Sequence, residues 1–223
     1  MEQFSASTAR QKMVDGQVRT SDVTDHRIID AMLSVPREAF VPESKRGLAY
    51  LDLDLEVSEE GAVKRYLLKP QLTAKLLQAA DIAAEDNVLI VGCATGYIAA
   101  LAAHFAATVT AIESDSALVG RAQTALAQVG IRNVRLKAAE LPQGDPADAP
   151  YDAIILNGAT EITTEILCEQ LKDAGRLVGV VAATRPPRAT VVTRSHGDFG
   201  TRVLFDAAAP ILPGFQRVPA FVF

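Results

Sequence analysis

Residues 86–97 read Asp-Asn-Val-Leu-Ile-Val-Gly-Cys-Ala-Thr-Gly-Tyr, and this stretch decides the fold. Its apolar run, 88–91, predicts a buried strand, and Gly92 and Gly96 permit the tight reversal that follows it. The alanine-rich segment from Tyr97 onward predicts a helix. A strand that passes through a glycine turn into a helix presents backbone N–H groups beyond the end of the strand. The stretch therefore predicts a site for a nucleotide-like cofactor.

The residues around the turn indicate which cofactor is expected. Glu113 is the first acidic residue after the turn, and it ends a second apolar run, so its carboxylate is placed to accept both hydroxyls of a ribose. A dinucleotide site requires Gly-x-Gly-x-x-Gly, whereas this chain has Gly92-x-Ala94-x-Gly96. This spacing fits NAD poorly. It favours S-adenosylmethionine, which has no phosphates.

Composition limits the class of protein. A chain of 223 residues with 49% hydrophobic content can bury one substantial core. The net charge of −5 and the lack of a basic run argue against a nucleic-acid partner. The sequence has no apolar segment of about 18 residues and no secretory signal at its start, so we expect a cytoplasmic protein without a membrane partner. Cys93 and Cys168 indicate neither a disulfide framework nor a metal site.

Downstream of residue 88, predicted strands and helices alternate. This pattern predicts a doubly wound, mostly parallel seven-stranded α/β sheet with helices on both faces, closed by an antiparallel hairpin near 189–206. The other strands are expected near 88–91, 108–112, 133–137, 152–156 and 176–183, and the helices near 97–106, 116–129 and 161–172.

The first part of the chain predicts a helical extension. Helices are expected over 5–18, over 24–35 with Thr24 or Asp25 as N-cap, and over 70–84 with Pro70 in the first position. The alternating Leu and Asp of 51–55 suggest a short strand. We therefore divide the chain into a substrate-side extension, 1–69, and a Rossmann-like cofactor domain, 70–223.

Several of these segments together resemble one known family, the protein-L-isoaspartate O-methyltransferases. The most specific is Val-Pro-Arg-Glu-Ala-Phe-Val-Pro at 35–42, and the resemblance covers about four-fifths of the chain. The turn at 88–97 resembles the first cofactor motif of the family, 111–113 its ribose-binding strand end, and 151–155 and 170–178 its later core strands.

The resemblance implies methyl transfer from S-adenosylmethionine to the carboxylate of an isoaspartyl residue in a damaged protein or peptide, which is a protein-repair reaction. It implies no metal, and it leaves the catalytic residues and the oligomeric state open. The implied cofactor-binding residues lie in the turn, at the ends of the second and fourth strands of the alternating series and after the third. They are Gly92, Cys93, Ala94, Gly96, Tyr97, Glu113, Ser114, Glu140 and Asn157.

The active-site loops depart from the family pattern. Where the family has Gly-Gln-Thr-Ile-Ser-x-Pro, alignment on Pro70 places Leu68 at the position of the substrate-orienting Ser and Tyr66 at that of the Thr. Ile90 replaces an acidic residue and Ala94 a glycine, while Glu140 is the acid that remains of a Gly-Asp-Gly motif. The cations at 65 and 69 can attract an acidic peptide to the expected substrate entrance.

These departures leave alternatives open. Glu113 can instead complement the dipole of the helix that follows, and the two glycines can serve the turn alone. The chain can be a catalytically impaired relative that binds a nucleoside cofactor or a protein partner in a regulatory role. An NAD-dependent oxidoreductase is the most distant reading.

Overall fold

The computed structural model describes residues 5–218. Six α-helices and nine strands form the described chain, with short 3₁₀ segments and one π-helical segment between them. The helices are α1 (Ala6–Met13), α2 (His26–Ser34), α3 (Pro70–Ala80), α4 (Tyr97–Ala102), α5 (Ser116–Gln128) and α6 (Glu165–Cys168). The strands are β1 (Leu55–Glu56), β2 (Tyr66–Leu67), β3 (Asn87–Val91), β4 (Thr108–Glu113), β5 (Val134–Ala138), β6 (Tyr151–Thr160), β7 (Leu171–Val181), β8 (Arg188–Ser195) and β9 (Asp198–Asp206).

The main sheet has seven strands in the order β5-β4-β3-β6-β7-β8-β9. Strands β3 to β7 pair in parallel, and β8 runs antiparallel to both of its neighbours. The predicted doubly wound, mostly parallel sheet and its closing hairpin are confirmed. The strand order reverses at β3, which pairs with β4 on one side and with β6 on the other. Ligands of such sheets bind beyond the carboxyl ends of the strands at this point.

Two apolar clusters cover the two faces of this sheet. Val88 and Ile90 belong to the first cluster, and Leu89 and Val91 to the second, because successive side chains of a strand point to opposite faces. The first cluster also contains α2, α3 and α4. The second is covered by α6, the 3₁₀ turn Leu141–Gln143 and side chains near residue 212.

The N-terminal predictions are largely confirmed. Helix α1 begins after Ser5 and continues as a π-helix over Val14–Val18. Helix α2 begins after Asp25, whose carboxylate accepts a hydrogen bond from the Arg27 N–H. The first cluster draws on residues from both sides of position 69, and the division into 1–69 and 70–223 stays a prediction. Within residues 5–218, no helix combines the length and apolarity needed to cross a membrane.

Several predicted elements differ from the structure in their bounds, among them α4, which ends at Ala102 rather than at 106, and β7, which begins at Leu171 rather than at 176. The helix expected over 161–172 is only the single turn of α6, because β6 stays paired with β7 as far as Thr160 and β7 already begins at Leu171. Helix α3 ends at Ala80, where Asp81 adopts a left-handed conformation with φ of 45°. The strand suggested for 51–55 is wrong for most of its length, since only Leu55 joins a strand.

Candidate functional site

The glycine turn lies between β3 and α4 as predicted. Gly92 and Gly96 have φ of 75° and 94°, which glycine adopts without a steric penalty. Ala94 also has a positive φ, 52°, a conformation that costs a residue with a Cβ about 1–2 kcal/mol. Since the family pattern has a glycine at position 94, this chain keeps the backbone path of the turn at some cost in conformational energy.

The N–H groups of this turn donate to the protein itself. Those of Gly92 and Cys93 bond the Ile112 carbonyl, at 2.9 and 3.0 Å, and that of Gly96 bonds the Cys93 carbonyl at 2.8 Å. The Ala94 N–H donates to Glu113 Oε2 at 2.7 Å. The expectation that this turn aims free N–H groups at a ligand therefore does not hold for these four donors.

Glu113 ends β4, and its carboxylate is completely buried. Besides the turn N–H, it accepts hydrogen bonds from the backbone N–H and the hydroxyl of Ser114, at 2.8 and 3.1 Å to Oε1. Its remaining partner is Arg65, whose Nε lies 3.1 Å from both carboxylate oxygens and whose Nη2 lies 2.9 Å from Oε2. The residue predicted to bind ribose is thus held in an internal ion pair.

Arg65 enters the site from the chain segment just before β2. Its backbone is held by a hydrogen bond from its N–H to the Ser58 hydroxyl and by one from the Val57 N–H to its carbonyl. Its side chain is only 2% exposed, and Nη2 also donates to the Gly92 carbonyl at 2.8 Å. The guanidinium therefore spans the gap between the ends of β3 and β4. The hypothesis that this residue attracts an acidic peptide at the surface is wrong.

The Arg65 guanidinium and two leucine side chains close the space above the turn. A Cβ built at Gly92 would lie 2.6 Å from Arg65 Nη2, 2.7 Å from Leu212 Cδ2 and 3.4 Å from Leu141 Cδ1. Leu212 also lies 2.7 Å from a Cβ built at Gly158, near the end of β6. These side chains occupy the place where the sequence predicts a nucleoside.

Of the other predicted residues, Asn157 and Tyr97 are packed near the turn, whereas Glu140 is not. Asn157 reaches the turn, because its side-chain amide donates to the Gly92 carbonyl at 2.9 Å. Tyr97 is buried, with its ring edge-on to Phe40 and the Arg37 guanidinium 4.8 Å from its centre. Glu140 is exposed to solvent. The structure thus gathers most of the predicted set around Gly92, although each gathered side chain already has a protein partner or a packed position.

Burial shifts the pKa values of two of these groups. Desolvation raises the pKa of the Cys93 thiol, and the negative charge of Glu113 raises it further. Desolvation also raises the pKa of Tyr97, against the opposing effect of Arg37. Both groups are therefore neutral at physiological pH, and neither is an activated nucleophile. Among the described residues, no cluster of His, Cys, Asp and Glu could hold a metal ion.

The segment that the family resemblance assigns to the substrate side is buried as well. Leu68 is 2% exposed, and its carbonyl accepts hydrogen bonds from Arg37 Nη2 at 2.8 Å and from the Thr73 hydroxyl at 3.3 Å. A cavity of about 500 Å³ reaches the turn at Thr95. It is lined by residues 39–43, Arg46 and α5, and neither Gly92 nor Glu113 lines it.

The sequence reasoning missed two residues that shape this site. Arg65 stands where the family pattern has Gln, so the cation itself is a signal, although the sequence alone favours a surface charge at this position. Leu212 carries no sequence signal, because an isolated leucine after the last strand resembles any other core residue.

Comparison with known proteins places this geometry in a family. The chain matches the family model described as Protein-L-isoaspartate(D-aspartate) O-methyltransferase over residues 8–205. It is 36% identical over 195 residues to protein-L-isoaspartate O-methyltransferase 1 of Rhodopseudomonas palustris (strain HaA2), covering 87% of this chain and 78% of that protein. It is 34% identical over 181 residues to a protein of the same name from Methanoculleus marisnigri, covering 81% and 80%.

Solved structures agree on the fold. A protein-L-isoaspartate O-methyltransferase superposes with a TM-score of 0.81 at 23% identity, over 92% of this chain and 66% of that one. A beta-aspartate methyltransferase from Plasmodium falciparum, in complex with S-adenosyl-L-homocysteine, gives a TM-score of 0.77 at 18% identity, over 91% and 97%. With its family match, its relatives and its methyltransferase sheet, this chain belongs to the protein-L-isoaspartate O-methyltransferase family, whose members use S-adenosylmethionine to methylate isoaspartyl residues in protein repair.

Proposed function

We propose that this chain itself transfers a methyl group from S-adenosylmethionine to the carboxylate of L-isoaspartyl residues in damaged proteins or peptides, and that it does so in the cytoplasm. The observation that carries the proposal is the family match over residues 8–205, together with a carboxylate at the end of β4 beside the glycine turn. The free thiols of Cys93 and Cys168 agree with a reducing compartment.

The proposed division of labour follows the two parts of the chain. Residues 1–69 form the substrate side, and 70–223 carry the cofactor. An isoaspartyl carboxylate is already ionised near neutral pH, so the reaction needs no general base. Placement of the carboxylate and exclusion of water are then the main contributions of the protein. The proposed nucleoside-binding residues are Gly92, Cys93, Ala94, Gly96, Tyr97, Glu113, Ser114, Glu140 and Asn157.

The side chains around Gly92, as the structure arranges them, do not fit a bound nucleoside. The Glu113 carboxylate is saturated by protein donors, and the Arg65 guanidinium and the Leu212 side chain fill the space over Gly92. This filled site favours a second candidate function, a non-catalytic relative that acts through a protein partner. Leu68 supports this second candidate too, because an apolar side chain replaces the expected substrate-orienting hydroxyl.

A methyl-transfer assay separates the two candidates. We would incubate the protein with methyl-labelled S-adenosylmethionine and either an L-isoaspartyl peptide or the same peptide with a normal aspartyl residue. The proposed activity predicts base-labile label in the isoaspartyl peptide only. Equal background label in both peptides, at a cofactor concentration where calorimetry detects binding, would instead favour the non-catalytic relative.

A further inference from the structure

We propose that Arg65 is a built-in occupant of the cofactor site, which competes with the nucleoside for Glu113, so that a cofactor can bind only when the Arg65 side chain withdraws. This inference rests on the proposed function in one respect, since it takes Glu113 as the group that would hold the ribose. It adds that a side chain of this protein, Arg65, regulates access of the cofactor to that site.

The first support is the hydrogen-bond count at Glu113. A carboxylate offers about four lone-pair directions. Each oxygen of Glu113 already has three donors within 3.1 Å, and Arg65 supplies three of these six contacts. A ribose hydroxyl therefore has no free acceptor while Arg65 is in place. Withdrawal of the guanidinium would leave two donors on Oε1 and one on Oε2, so Oε2 would regain a free acceptor direction for a hydroxyl.

The second support is the position of the guanidinium. Nη2 bonds both Glu113 Oε2 and the Gly92 carbonyl, at 2.9 and 2.8 Å, so the side chain lies across the carboxyl ends of β3 and β4. A ligand at the switch point of this sheet must occupy the same place. A Cβ at Gly92 would already be 2.6 Å from Nη2. A nucleoside and this guanidinium therefore exclude each other.

The third support is that Arg65 can leave without unfolding the segment that carries it. Its backbone bonds to Val57 and Ser58 do not involve the guanidinium. The neighbouring segment carries the carboxylates of Glu56, Glu59 and Glu60, which line a surface cavity with Arg121. Glu59 pairs with Arg121 and Glu56 with Lys64 at the surface, and these solvated pairs can exchange partners with an Arg65 side chain that has rotated out. The paired position seen in the structure and the inferred withdrawn position would thus form a two-state element.

The consequence for affinity follows from this equilibrium. When only a fraction f of the molecules has the site open, the apparent dissociation constant is the intrinsic one divided by f. A buried, multiply bonded ion pair keeps f small. Replacing Arg65 by a residue that cannot reach Glu113 raises f, so the affinity for S-adenosylhomocysteine increases.

The test is calorimetric titration of S-adenosylhomocysteine into the wild type and two variants. Arg65→Gln places the residue of the family pattern at this position, and its side chain is too short to form the fork on Glu113. Arg37→Gln is the matched control, because Arg37 is also buried and bonds backbone carbonyls but not Glu113. We expect Arg65→Gln to bind at least tenfold more tightly than the wild type, and Arg37→Gln to show no gain.

Equal affinity of Arg65→Gln and the wild type would overturn the inference, and so would a failure of both to bind. If Arg65→Gln gains affinity but neither protein labels the isoaspartyl peptide, the proposed function fails while the inference stands. If the wild type labels the peptide and Arg65→Gln leaves the affinity unchanged, the proposed function stands while the inference fails.

A second variant and a second measurement cover the case in which Arg65→Gln does not fold. Arg65→Lys keeps a charge opposite Glu113 but lacks the fork, so we expect an affinity between those of the wild type and an open site. In the wild type, saturating S-adenosylhomocysteine should modestly accelerate hydrogen exchange of amides in 57–67. The segment loses the tie that Arg65 makes to β4 but keeps its backbone bonds at Val57 and Ser58. Unchanged affinity of Arg65→Lys, or unchanged exchange in the ligand-bound wild type, would contradict the inference.

Discussion

The most consequential contact at the scale of single residues is the pair between Arg65 and Glu113, whose side chains are 2% and 0% exposed. Burying two charges costs solvation free energy, which their mutual attraction and hydrogen bonds offset only when the geometry is good. Here Gly92 and Ala94 supply additional partners, so the carboxylate oxygens and the Nε and Nη2 atoms of the guanidinium are all hydrogen-bonded. The pair is therefore stable as a unit and sensitive to the loss of either member.

Replacement of Glu113 by Gln should destabilise the protein strongly. The substitution leaves the Arg65 charge buried without a counter-charge, and we expect the free energy of unfolding to fall by about 3–5 kcal/mol. Urea denaturation followed by circular dichroism measures the change. The control is Glu59→Gln, which breaks the surface pair with Arg121, whose side chains are 58% and 40% exposed, and should cost less than about 1 kcal/mol. Similar losses in the two variants would show that Arg65 is not held as a buried charge.

The two cysteines should be unreactive in the folded protein. Burial raises the pKa of both thiols, and Glu113 adds to the effect at Cys93, so the reactive thiolate is scarce at pH 8. We expect an aromatic disulfide reagent to label neither thiol rapidly in the native protein and both after denaturation. If some labelling is seen in the native protein, the Cys168→Ala variant shows which of the two thiols reacts. Rapid native labelling of that variant would mean that the turn at Cys93 opens readily.

At the scale of elements, the junction of α2 with α3 shows how an N-terminal helix is attached to the helix that precedes the main sheet. Asp25 caps α2, and the Gln78 side chain of α3 accepts hydrogen bonds from the N–H groups of Thr24 and Asp25, at 2.7 and 3.1 Å. Arg27 bonds Asp25 and also the Ile82 carbonyl beyond α3. The start of one helix is therefore held against the end of another by a few polar contacts.

Loss of this cap should be measurable. Asp25→Ala removes the acceptor for the Arg27 N–H, and we expect about 1 kcal/mol of stability to be lost at pH 7. The Arg27 hydrogen bond lowers the pKa of Asp25, so this stabilisation is present above the ordinary carboxyl pKa and disappears as the pH falls through the lowered value. Urea titrations at pH 7 and near pH 3 test both statements.

The matched control for the cap is Asp30→Ala on the exposed face of α2, which should change stability by less than about 0.5 kcal/mol. If the difference between Asp25→Ala and the wild type persisted unchanged at low pH, the ionised carboxylate would not be its source.

At the scale of the whole molecule, the segment after β9 seals the second face of the sheet. Its backbone joins the end of β6, since the Ala159 N–H bonds the Pro210 carbonyl at 2.8 Å and the Leu212 N–H bonds the Ala159 carbonyl at 2.9 Å. Leu212 and Phe215 are thereby placed in the second cluster, at 0% and 1% exposure. The last described segment of the chain thus closes the site that begins at β3.

Truncation of Leu212 should therefore lower the free energy of unfolding much more than its position near the end of the chain suggests. We expect Leu212→Ala to lower the free energy of unfolding by about 2–5 kcal/mol, because it leaves a cavity in a packed cluster. Val218→Ala, at a residue 84% exposed, should change it by less than about 0.5 kcal/mol. Comparable values for the two variants in urea titrations would show that the segment is not packed as described.

The sequence by itself determined the sheet, the glycine turn, the closing hairpin and the family, because these depend on local features. The run at 88–91 has strand composition, Gly92 and Gly96 permit the turn, and strand–helix alternation dictates a parallel sheet. Only the tertiary structure decided the length of β6, the single turn of α6 and the contents of the site. Arg65 meets Glu113 across 48 residues of chain, and such a contact depends on how the elements pack rather than on any local pattern.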